Sequence, residues 1–319
     1  MAAILGSMLI TIYNFLYQPG NIADIFAEFD GYVLTLFSEG WFGNIYMVLK
    51  TVGIGMLAVD CLIALMDKVT EGDFTIHAVF RHLLKYVILY MVLLNALNIF
   101  MYLLSIATNV FQDMKTAASD IMDTAEGLSQ GMMTNGVSEL SFASKCGLLM
   151  TLLVPYIISL AYYIVLYFFA TSRLFESVIR ITMAPLVAGL SYFGKGDNAD
   201  IVRFAKRTMG VFFQIVVILG VSLALTFVHE SFTNESGGLT DPADLLVEDF
   251  SSDEVLVDYD EWSQVPEAEK DTLGAYTPES ITDFSDNMLN VNIYPITCGL
   301  MIASIFLVFK SREISTRMF

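Results

Sequence analysis

Four stretches of this chain run without one charged residue for longer than a bilayer is thick: Tyr86 to Gln112, Cys146 to Ser172, Thr208 to Val228 and Asn287 to Phe309. About 20 residues of helix cross roughly 30 Å of hydrocarbon, so each is long enough to span. A fifth stretch, about Gly43 to Met66, is apolar overall but carries Lys50 and Asp60, and it counts as a span too. With 55% hydrophobic and only 16% charged residues, the chain has too little polar surface for a water-soluble globule. The expected fold class is an all-α integral membrane protein with about five transmembrane helices.

The net charge of −18 is local rather than general. Between His229 and Val291 there are 17 acids against one base, Lys270, which leaves 17 acids and 15 bases, net −2, for everything else. Residues 229–286 therefore form an acidic loop between spans, read either as solvated and partly disordered or as a small docking domain. No Gly follows its spaced acids, as a calcium-binding loop would need.

Lys and Arg collect in short cytoplasmic loops, and here they fall in three groups. These are Lys68, Arg81 and Lys85; Arg173, Arg180, Lys195, Arg203, Lys206 and Arg207; and Lys310, Arg312 and Arg317. Placing all three inside gives a multi-pass protein of the cell membrane, with the acidic loop and the N-terminus outside and the C-terminus cytoplasmic. Residues 287–319 are then the last span and a basic tail, and residues 41–228 the membrane core. No Lys or Arg precedes Lys50, so a cleavable signal peptide is not expected and the spans direct insertion. Residues 1–40 read as apolar and amphipathic helices on the outer surface; whether residues 1–17 cross is left open.

With those assignments both ends of residues 174–194 face the cytoplasm. Only 14 uncharged residues separate Arg180 from Lys195, too few to span, and Pro185 is expected to break the helix midway. The expectation is a re-entrant elbow in which Ala184, Ala188 and Gly189 let backbones approach closely. Arg173, Glu176 and Arg180 share one helical face, with Glu176 four residues before Arg180 in the favourable order. They read as an ion-pair triad fixing the elbow or as charges acting in transport.

Asp60 is either a snorkelling structural acid or the lining of a polar cavity, since an unpaired carboxylate in lipid is costly. Asn95, Asn98 and Gln214 are expected to make hydrogen bonds between helices inside spans. Nothing points to an enzyme: there is no phosphate-binding loop, no nucleophile elbow and no nucleotide fingerprint. His77 and His82, five apart, suit no shared metal face, and the three cysteines form no framework, so neither metal nor cofactor is expected.

The stretch "YIVLYFFATSRLFESVIRITMAPLVAGLSYF" followed by "RFAKRTMGVFFQIVVILGVSLAL" resembles the core of the TrbL-like polytopic channel subunits of type IV secretion systems, in the form carried by Gram-positive mobile elements. The resemblance covers about Tyr163 to Leu225 and rests on Arg173, Glu176, Ala184, Pro185, Lys206 and Gln214. It implies a non-enzymatic subunit, oligomeric with itself, that contributes to passage of a DNA–protein substrate during conjugation. The implied partners are a membrane-associated ATPase, a coupling protein, a cell-wall hydrolase and lipid. Arg203, Lys206 and Arg207 would then form a basic cytoplasmic mouth attracting transient single-stranded DNA. The rival reading is a secondary transporter or ion channel with Asp60 in a polar cavity.

Overall fold

The fold is described from a computed structural model, over residues 1–18, 20–72, 75–121, 128–193, 200–235, 255–266, 270, 273–289 and 294–318. Nearly all of it is helix. The order is α1 (Ala2–Tyr17), α2 (Gly20–Ser38), α3 (Trp41–Thr70), α4 (Ile76–Leu94), α5 (Ala96–Ile121), α6 (Gln130–Glu139), α7 (Phe142–Leu190), a 3₁₀ turn Ser191–Phe193, α8 (Asp200–Phe212), α9 (Gln214–Glu235), α10 (Tyr259–Gln264), α11 (Pro278–Met288) and α12 (Tyr294–Met318). Two-residue strands β1 (Val255–Leu256) and β2 (Leu273–Gly274) pair in parallel.

Five segments are long and apolar enough to cross a membrane: Trp41–Thr70, Ile76–Leu94, Phe142–Phe193, Asp200–His229 and Tyr294–Met318. The count agrees with the sequence, but two boundaries do not. The expected span 86–112 is interrupted at Asn95, which ends α4 and precedes α5. The elbow at 174–194 is absent, because α7 runs unbroken for 49 residues through both Pro155 and Pro185. At 1.5 Å per residue its path is about 74 Å, more than twice the hydrocarbon thickness. A helix of that length, set across a bilayer, would extend beyond it and need not turn back for its end to reach the compartment of the next loop. Proline removes one hydrogen bond and is tolerated in an apolar helix whose neighbours pack tightly.

The chain forms two compact units. The first joins Met1–Ala23, Met114–Tyr167 and Ile218–Phe309. Here α1 is not a surface helix: Leu5, Leu9, Ile12, Tyr13 and Leu16 are fully buried. Gly6 lies so close to α6 that a Cβ would stand 2.8 Å from Thr134 Oγ1. The ring of Tyr13 is 5.8 Å from Phe284 of α11, and Phe15 meets Tyr162 edge-on at 4.5 Å. A 16-residue apolar helix is too short to span and long enough to be a core.

Much of the second half of the acidic loop is ordered. Thr277 and Ser280 form a reciprocal capping box at the start of α11, with Pro278 in its first turn. Trp262 Nε1 donates to Leu273 O at 3.2 Å, and Lys270 Nζ stands 4.2 Å over the Trp262 ring. Burial raises the hydroxyl pKa of Tyr276, which keeps it neutral. Residues 236–254 of the expected loop lie outside the described residues.

The second unit joins Asp24–Asp113, Phe168–Val217 and Lys310–Phe319. Its core includes Val33, Tyr46, Phe100, Leu104, Val178, Ile181 and Phe212. Within it α3 and α7 cross with backbones in contact. A Cβ on Gly189 would stand 2.6 Å from Gly53 O, and one on Gly53 would collide with Pro185 O. Small residues permit this approach, as expected of Ala184, Ala188 and Gly189, although in a continuous helix. α2 belongs to the same unit through Asp30, so an outer-surface α2 and an inner Arg173 are not both possible.

Candidate functional site

The polar centre of the second unit is Arg173. Phe213 separates α8 from α9, and Val216 N–H turns to Phe213 O at 3.1 Å, three residues back instead of four. Such a break leaves carbonyls at the end of the first helix in need of donors. Arg173 supplies them: Nε donates to Val211 O at 3.1 Å and Nη2 to Phe212 O at 3.0 Å. The rest of the guanidinium forks onto Asp30 of α2, Nη1 to Oδ1 at 2.5 Å and Nη2 to Oδ2 at 3.0 Å. Thr108 Oγ1 of α5 donates to the same carboxylate at 3.2 Å.

Four of the five guanidinium N–H donors are thus used. Arg173 is 2% exposed and Asp30 4%. Arginine suits this place because its planar, weakly hydrated head gives several fixed donors at low desolvation cost. Such a pair adds little net stability, since desolvation offsets the attraction, but losing either partner strands a buried charge.

A second break is treated alike. Asn95 stands between α4 and α5 and caps its own helix, Nδ2 donating to Met91 O at 2.9 Å. Lys50 Nζ donates to Leu94 O at 3.1 Å, while the freed Leu97 N–H donates to the Tyr46 hydroxyl at 2.9 Å. Lys50 and Tyr46 lie four residues apart on α3, one above the other. Carbonyls freed by a helix break need donors from protein where water does not reach. In both breaks a cation from a neighbouring helix supplies them.

The expected triad is therefore corrected. Arg180 pairs with Glu176, Nη2 to Oε1 at 2.7 Å and Nε to Oε1 at 3.0 Å, but the third member is Arg312 of α12, 2.9 Å from the same oxygen. Arg173 points away from this group and pairs instead with the buried carboxylate of Asp30, 143 residues earlier in the chain. Gln214 does bridge helices, Nε2 donating to Ser311 Oγ at 3.1 Å. Asn98 is exposed, and Asn95 serves its own helix.

Asp60 is half-buried on α3, with no hydrogen bond or ion pair among the described residues. Its neighbour Cys61 packs with Leu57, Ala64 and Tyr192. The Tyr192 hydroxyl lies 3.0 Å from His82 Nδ1 and 3.2 Å from His82 O. Among the described residues no three His, Cys, Asp or Glu side chains converge as a metal site.

Of the basic mouth, Arg203 pairs with Asp200 at 2.7 Å, and both are about half exposed. Lys206 and Arg207 are exposed on the same strongly amphipathic α8. Arg203 and Arg207, with Arg180, Asp200, Val187 and Phe204, line a cleft of about 310 Å³. Lys206 does not line it. Comparison of the chain with family models, with curated proteins and with solved structures returns no match.

Proposed function

We propose that this chain is a non-enzymatic, self-associating membrane subunit of a type IV secretion apparatus, a scaffold for the passage through which a DNA–protein substrate leaves the cell in conjugation. One observation carries the reading. Four of the six residues on which the resemblance rests coincide with points that fasten the second unit: Arg173 at the Phe213 break, Pro185 against Gly53, Gln214 on Ser311, and Glu176 between Arg180 and Arg312. A motif that specifies packing rather than a reactive centre suits a scaffold. The broad exposed apolar faces of α3 and α4, with Met47, Val52, Leu62, Phe80 and Ile88 open, suit contact with lipid and with other subunits. Five spans leave little room for a wide pore, so the conduit lies between copies or between subunits. Arg180, Arg203 and Arg207 line one cleft, and Arg312 reaches the same Glu176 oxygen as Arg180, a clustering of positive charge that supports a shared cytoplasmic side.

Deleting the gene from a conjugative donor strain should reduce transfer by orders of magnitude, and the intact gene supplied in trans should restore it. Unchanged transfer overturns the proposal. A transporter reading draws on the two interrupted helices, since half-helix ends form ion sites in many transporters. Here those ends are filled by Lys50 and Arg173, which is why the scaffold reading is preferred. Substrate flux in proteoliposomes that is lost in Asp60→Asn would reverse that preference.

A further inference from the structure

We infer that the arginine cleft of α7 and α8 is a binding site for an anionic phospholipid, its phosphate held by Arg203 and Arg207 and one acyl chain laid in the adjoining groove. The inference needs only that the chain lies in a bilayer; it does not rest on the conjugation reading.

Two cavities meet at this place. The first, about 310 Å³, has among the described residues three arginines, Arg180, Arg203 and Arg207, against one acid, Asp200. The second, about 410 Å³, is lined by Glu176, Ile179, Arg180, Met183 and Phe204. Both volumes fall within the range of about 300–1,000 Å³ usual for small-molecule sites. They share Arg180 and Phe204, so a charged compartment opens onto an apolar one. A phospholipid has that same division between headgroup and tail.

The charges are not equally committed. Arg180 is held by Glu176 at 2.7 Å and Arg203 by Asp200 at 2.7 Å. Arg207 is exposed and has no ion pair among the described residues. An arriving phosphate therefore meets one uncompensated guanidinium and the outward donors of a second, in the planar geometry that matches phosphate oxygens. Basic pockets between membrane helices at the cytoplasmic face hold such headgroups.

The apolar groove decides between ligands. Ile179 is 56% and Met183 43% exposed, with Phe175 and Leu190 also open nearby on α7. A soluble phosphate gains nothing from these side chains; a hydrocarbon tail covers them. A single DNA strand would need an open aromatic face on which to stack a base. Phe204 is half-buried, and the guanidinium carbon of Arg180 lies 6.0 Å from its ring centre. Glu176 and Asp200 would also face successive phosphates of a strand at close range.

The test uses the full chain in detergent and follows its thermal midpoint. Dioleoylphosphatidylglycerol should raise the midpoint, whereas dioleoylphosphatidylcholine and glycerol 3-phosphate at equal concentration should not. The double variant Arg203→Gln/Arg207→Gln should lose that rise, and the charge-matched control Lys310→Gln/Arg317→Gln should keep it. Equal loss in both variants would reduce the effect to general attraction and overturn the site. A rise of the same size with glycerol 3-phosphate would assign the cleft to free phosphate, and one with a single-stranded oligonucleotide would assign it to nucleic acid; either overturns the lipid. Should the double variant not fold, phosphatidylglycerol with a photoreactive acyl chain decides on the unaltered protein. Labelling concentrated on the peptide around Ile179 and Met183 supports the site, and labelling spread over α3 and α4 in proportion to their exposed area refutes it.

Discussion

At the scale of single residues, the Asp30–Arg173 pair shows how an interaction with small net value comes to be indispensable. The two side chains are 6% and 1% exposed, so neither has water to fall back on. Asp30→Asn keeps the shape and removes the charge, leaving a buried guanidinium uncompensated, at a cost of about 3–5 kcal/mol. Unfolding in mixed micelles should register that loss, while Glu28→Gln on the exposed face of α2 should not. Replacing both partners together, Asp30→Leu with Arg173→Met, should recover part of it, though the Val211 and Phe212 carbonyls then lose their donors. If Asp30→Asn unfolds like the Glu28 control, the pair is not the fastening described here.

At the scale of elements, what could be read from the sequence followed from how local the information is. An apolar run is a property of consecutive residues, so four uncharged spans and a fifth carrying Lys50 and Asp60 were legible along the chain. The approach of Gly189 to another backbone was legible too, because only small residues allow it. The helix breaks were harder. Asn95 and Phe213 carry no proline or glycine, and what sustains each break is a side chain from elsewhere that donates to the exposed carbonyls. Tyr46 and Lys50, four apart in an apolar span, were the available signal for the first. Pro185 misled in the opposite direction, because its lost hydrogen bond was weighed without the packing of Gly53 against its carbonyl. The geometry yields a contrast: Gly53→Val, whose side chain has nowhere to go, should cost about 1–3 kcal/mol by overpacking. Pro185→Ala, which returns an N–H to the helix, should lower the unfolding midpoint by less than Gly53→Val does. The reverse order would mean that the proline does define a bend on which the fold depends.

At the scale of the whole molecule, residue composition fixed the class and charge asymmetry set the proposed orientation, while the pairing of distant segments could not be read at all. Nothing along the chain links α1 to α6 and α11, or α2 to the second half of α7. The orientation has a direct check. With Cys61, Cys146 and Cys298 replaced, a membrane-impermeant maleimide should label Ser263→Cys on intact cells and Arg317→Cys only after permeabilisation. Labelling of both from one side would remove α12 from the list of spans.

The separation of Asp30 from Arg173 also has a consequence in time. At about 5–20 residues per second, the 143 residues between them take the ribosome about 7–30 seconds. Throughout that interval the newly made α2 holds an acid whose counter-ion does not yet exist. Its amphipathic face lets it wait in the headgroup region, where the carboxylate stays hydrated. Closure of α2 over Arg173 is therefore a late event of biogenesis, coming after α7 and the α8–α9 junction have been delivered to the bilayer.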